Sequence, residues 1–113
     1  FFVGGEGEGA FKMTGSAATS SGRISRVLFE KNYQSGLALK DVTALTVSNS
    51  TFSDHIEKRD SPATGLFSSN STATLSNITW SGNEKDAKGS GTNALTCTSC
   101  GSPVTTPANL FSP

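Results

Sequence analysis

At 113 residues the chain is sized for one domain, and nine Lys plus Arg balance nine Asp plus Glu to a formal charge of zero. That balance excludes the basic stripe of a nucleic-acid binder and leaves no electrostatic attraction to an anionic membrane surface. No run approaches the ~20 consecutive apolar residues of a membrane span, so no transmembrane segment is expected.

The chain opens on "FFVGGEGEGA", apolar at Phe1, Phe2 and Val3 and then rich in Gly and Glu. Residues 1–8 are expected to be an extension, with Phe1, Phe2 and Val3 free to lie along a neighbouring chain as an added strand. The opening lacks the charged start and apolar middle of a signal peptide, so it reads as a processed product or as part of something longer. "EGAFKMT" (8–14) follows, a Gly-led segment of alternating character that predicts a strand entered through a bend. Next comes "ISRVLFEKN" (24–32), then a second Gly-led strand in "SGLALKD" (35–41).

From there the chain repeats itself. "VSNSTFSDH" (47–55) and "LSNITWSGN" (75–83) restate 24–32, each with an aliphatic start, a central aromatic and a polar end. "TGLFSSN" (64–70) supplies another Gly-led strand between them, and "ALTC" (94–97) echoes "ALTV" (44–47) to begin an incomplete fourth copy. The starts Ile24, Val47, Leu75 and Cys97 lie 23, 28 and 22 residues apart, one period with five extra residues in the second copy. A fixed period of this size predicts a stacked repeat architecture. The segments favour Thr, Val, Ile and Phe and lack the i, i+3, i+4 spacing of a helix, so the fold is all-β.

Parity adds a bend. Leu45 and Val47 share one face of an extended strand, but Phe52 lies an odd number of residues beyond Val47. If Val47 and Phe52 both face inward, the chain must bend between them, at Ser48-Asn49 and again at Ser76-Asn77. Asn tolerates the left-handed conformation better than most residues. On this reading Asn49 and Asn77 turn inward and stack, with Arg26 in the equivalent place of an incomplete ladder. Phe29, Phe52 and Trp80 form an aromatic column, Ile24, Val47, Leu75 and Cys97 an aliphatic one, and Asn32, His55 and Asn83 a second polar ladder.

These phrases resemble the repeats of polymorphic outer membrane proteins, in which Phe-x-x-Asn alternates with Gly-Gly-Ala-aliphatic. The first motif stands here as Phe29-Glu30-Lys31-Asn32, Phe52-Ser53-Asp54-His55 and Trp80-Ser81-Gly82-Asn83. The second survives as Gly9-Ala10-Phe11, Gly36-Leu37-Ala38 and Gly65-Leu66-Phe67. Phe67-Ser68-Ser69-Asn70 also fits the first pattern, but at a spacing too short for a full repeat, so it is placed on the preceding strand. The resemblance implies a right-handed parallel β-helix of about four rungs, a single unit over 1–113, with about 1–8 and 101–113 as flexible or inter-subunit extensions.

Asn49, Asn70 and Asn77 each begin an Asn-x-Ser/Thr triplet. A glycan requires a surface-facing Asn, which conflicts with an inward ladder at Asn49 and Asn77. Asn70 has no ladder role and is the preferred acceptor. Ser and Thr together exceed a quarter of the chain and offer O-linked sites as an alternative. Cys97-Thr98-Ser99-Cys100 reads first as a local disulfide in an oxidising compartment. Redox catalysis, zinc binding, and reduced or intermolecular pairing remain as alternatives.

His55, the only histidine, is read as a ladder member, against a catalytic or metal role. The charged run "SDHIEKRD" (53–60) coincides with the extra residues of the long repeat and reads as a solvated loop; the rival reading is a carbohydrate-active β-helix enzyme, whose paired carboxylates are not evident. No nucleophile motif, P-loop or dinucleotide fingerprint appears.

The expectation is therefore a non-enzymatic extracellular or cell-surface protein without a cofactor, glycosylated and stacking end to end with copies of itself into a fibre or surface layer. A fragment of a bacterial surface adhesin or autotransporter passenger is the alternative.

Overall fold

The structure, a computed structural model, describes residues 2–3, 11–14, 21–32, 35–55 and 64–112. It contains β1 (Phe2–Val3), β2 (Phe11–Thr14), β3 (Ser21–Ser25), β4 (Leu28–Glu30), β5 (Ser35–Lys40) and β6 (Ala44–Ser53). These are followed by β7 (Thr64–Ser69), β8 (Thr72–Ser81), β9 (Lys85–Ser90), β10 (Ala94–Thr98), β11 (Thr105–Thr106) and β12 (Phe111–Ser112). The described residues contain no helix.

The strands form two sheets, and every pairing is parallel. One sheet runs β1-β4-β6-β8-β10-β12, with β3 also on β6; the other runs β2-β5-β7-β9-β11. From β4 to β12 the chain alternates between them. Each strand therefore pairs with its counterpart one repeat later, which is why sequence repeats become spatial columns. Ile24 pairs with Val47, Val47 with Leu75, and Leu75 with Cys97. Phe67 lies on β7 in the second sheet, beside Ala38 and Lys88 in register.

The core lies between the sheets. Phe29 stacks on Phe52 at 4.7 Å between ring centroids, and Phe52 on Trp80 at 4.9 Å. From the second sheet, Leu37, Leu66 and Ala87 form a fully buried column in register. Val47 and Leu75 are fully buried, while Ile24 and Cys97 at the ends of their column are half-buried. Burying such side chains stabilises by about 1.5–3 kcal/mol each.

Three columns of left-handed residues make the bends. Arg26, Asn49, Asn77 and Ser99 occupy the first, with φ of 58°, 51°, 52° and 56°. Lys31, Asp54 and Gly82 form the second, and Asp41, Asn70 and Gly91 the third. Each bend shifts the face on which the strand buries side chains: Leu45 and Val47 are buried before Asn49, and Ser50 and Phe52 after it.

Several expectations are corrected. Asn49 and Asn77 do not turn inward; both are exposed. A left-handed residue inserted into a strand projects its side chain away from the faces on either side of it, here into solvent. Asn70 has a ladder role after all, because its Oδ1 accepts the Thr92 N–H at 2.9 Å. Phe2 and Val3 pair with Phe29 and Glu30 of their own chain rather than waiting for a neighbour, because the short β4 offers a free edge beside them. Phe1 and residues 4–8 lie outside the described residues.

Residues 101–112 are not a flexible extension but a strap across the end of the stack. β11 pairs with β9 and β12 with β10, and Leu110 between them is buried. The Thr106–Pro107 peptide within the strap is cis.

Candidate functional site

Four groups of side chains could carry function: the inner polar ladder, the outer asparagine corners, the cysteine pair and the strand edges at the ends. In the inner ladder, the Asn32 N–H donates to Nδ1 of His55 at 3.1 Å. The His55 N–H in turn donates to Oδ1 of Asn83 at 3.2 Å. Asn83 Nδ2 donates to the Phe52 carbonyl at 2.9 Å and to Asp86 Oδ1 at 3.3 Å. Each side chain thus satisfies a backbone donor of the preceding repeat just past the second bend, where the strand ladder is interrupted.

This geometry fixes the chemistry of His55. Its Nδ1 is an acceptor, so the neutral ring carries its proton on Nε2, which is buried without a hydrogen-bond partner among the described residues. Burial pushes its pKa down from 6.5 to about 4, against the opposing effect of the Asp54 charge. The ring also lies against Gly36, where an added Cβ would sit 2.7 Å from Nε2. A general base needs a free lone pair facing a substrate; the lone pair of His55 faces its own backbone. Residues 56–60 of the charged run lie outside the described residues.

Serines repeat the same device at the other two bends, a role that the repeat pattern did not predict. Val27 N–H donates to Ser50 Oγ at 3.2 Å, and that hydroxyl donates to the Ser48 carbonyl at 2.9 Å. Val42 N–H donates to Ser71 Oγ at 3.0 Å, whose hydroxyl donates to the Ser69 carbonyl at 2.9 Å. Asn93 Oδ1 accepts from both the Ser71 N–H and the Ser68 hydroxyl. The readable signal was position: Ser50 and Ser71 each directly follow a bend asparagine.

On the outer surface, Asn77 Nδ2 donates to Asn49 Oδ1 at 2.7 Å, one repeat to the next. Cys97 and Cys100 form a disulfide with 5.9 Å between Cα atoms, bridging the Ser99 bend. Among the described residues no group of three or more His, Cys, Asp or Glu is placed to hold a metal ion.

At the C-terminal end the strap is anchored by Asp86. Its Oδ2 accepts the Val104 N–H at 2.7 Å, and its own N–H donates to the Val104 carbonyl at 2.7 Å. Only Leu95 and Thr96 of β10 are covered by β12, and only Ala87 and Lys88 of β9 by β11. Apart from Asp86, held by Val104, the remaining residues of both strands (Lys85, Gly89 and Ser90 of β9, and Ala94, Cys97 and Thr98 of β10) have no strand partner on their outer side among the described residues.

No protein family, curated protein or solved structure matches the chain. The case for function therefore rests on the geometry.

Proposed function

We propose that the chain is a right-handed parallel β-helix of about four rungs, working as an extracellular structural unit that carries covalent glycans and stacks through its strand edges into a fibre or surface layer. The observation that carries this reading is the one-directional, in-register stack. Because every pairing is parallel, the outer edges left on β9 and β10 offer the same hydrogen-bonding groups that hold the interior together. Unpaired edges of this kind template the addition of another chain, and head-to-tail contacts that do not close give filaments. The Cys97–Cys100 disulfide fits an oxidising compartment. The chemistry-bearing polar side chains, His55 above all, are spent on holding rungs together, which favours a structural over an enzymatic role.

The strap favours a second reading. An end partly covered by its own chain receives another copy less readily than a bare one, which suits a fragment of a bacterial surface adhesin or autotransporter passenger. Sedimentation across micromolar concentrations with electron microscopy of the same sample separates the two. Filaments or a ladder of oligomers are expected; a strict monomer at every concentration sinks the fibre.

A further inference from the structure

We propose that Asn49 and Asn70 carry N-linked glycans in the secreted protein and that Asn77 does not; this rests on the extracellular reading above. All three begin Asn-x-Thr triplets at left-handed corners, and all three are exposed. In each triplet the middle residue, Ser50, Ser71 or Ile78, is buried. The corner therefore aims the acceptor amide away from the core, and a sugar added there displaces nothing inside.

What separates the three is the side-chain nitrogen, the atom that takes the sugar. Asn49 and Asn70 are engaged through Oδ1, which receives Asn77 Nδ2 in one case and the Thr92 N–H in the other. Their Nδ2 atoms make no hydrogen bond among the described residues. Asn77 is engaged through Nδ2 itself, aimed at an amide one strand spacing away, about 4.8 Å. A sugar on that nitrogen is driven into the neighbouring corner.

The step is a group transfer. Nδ2 bonds to the anomeric carbon of a polyprenyl-diphosphate-linked oligosaccharide, and the bond from that carbon to the diphosphate oxygen breaks. The polyprenyl diphosphate leaves with the electron pair, and the amide proton passes to a base of the transferring enzyme. Because transfer precedes folding, discrimination is exerted by which glycoforms fold. A sugar on Asn77 takes one of the two hydrogens of the nitrogen that contacts the Asn49 amide and crowds that contact between repeats, whereas one on Asn49 or Asn70 leaves every described bond in place.

The full chain, secreted from a eukaryotic host and mapped by mass spectrometry after amidase release in heavy-oxygen water, reads each site. Label is expected at Asn49 and Asn70 and not at Asn77. Asn49→Gly keeps a corner that accepts the left-handed conformation but removes the partner amide, and is expected to raise occupancy at Asn77. Thr51→Ala destroys the first triplet but keeps the amide pair, and is expected to leave Asn77 bare. Label on Asn77 in the parent chain or in Thr51→Ala, or its absence from either Asn49 or Asn70, overturns the proposal. Filaments from a sugar-free secreted chain end this inference and leave the structural reading standing; a glycosylated strict monomer does the reverse.

Discussion

His55 is a ladder residue with a titration built in. Its folded pKa of about 4 lies below the ordinary 6.5, so folding favours the neutral ring. The stability this contributes is fully present above pH 6.5 and is lost as the pH falls towards 4, a difference of about 3 kcal/mol at most. His55→Asn supplies an amide oxygen for the Asn32 N–H, as Asn83 does for His55 itself. Urea unfolding from pH 7.5 to 4 is expected to show the wild type losing stability relative to this variant by that order; parallel curves would contradict it. Phe52 sits between Phe29 and Trp80 with no exposure. Phe52→Ala is expected to cost about 3–5 kcal/mol in thermal or chemical unfolding, since a stack held from both sides collapses poorly into the gap. The aromatic column and the Asn32–His55–Asn83 set were legible because repeats align chemically similar residues. Asp86, Ser50 and Ser71 were not, because their role depends on which backbone donor lies opposite.

The bends are the working elements. An alanine in the left-handed conformation is strained by roughly 1–2 kcal/mol, whereas glycine adopts it freely. Asn77→Ala is therefore expected to unfold at lower denaturant than Asn77→Gly, although both lose the amide pair with Asn49; equal midpoints would show that the pair, not the corner, carries the residue's contribution. Gly82 sits under the same constraint, with φ of 67° and the Asp54 carboxylate where a Cβ would go. The existence of the bend followed from the odd spacing between Val47 and Phe52. Its outward direction did not, since parity counts positions and a left-handed residue consumes one position without belonging to either face. The strap escaped for a related reason. Residues 101–112 carry no copy of the repeat, and their tie to the stack begins at Asp86, which reaches the Val104 N–H from β9, ahead of the two short pairings of β11 and β12.

For the whole molecule, stability and association meet at that anchor. Asp86→Ala leaves the Val104 N–H without its carboxylate and is expected to release the strap, uncovering Leu95 and Thr96 of β10. Sedimentation of this variant is expected to show more self-association than the wild type at equal concentration; an unchanged distribution would mean that the strap does not limit stacking. The register from repeat to repeat was legible from offsets of 23, 28 and 22 residues, because in such a stack sequence period and strand pairing are the same quantity. β1 and β2 stand at one extreme of their sheets, and β12 and β11 at the other. Tension applied between the chain ends accordingly loads the inter-strand hydrogen bonds in series rather than in shear. The molecule yields by peeling from its extremities, one layer after another, and each detached layer leaves behind an edge on which it can reseat when the load is removed.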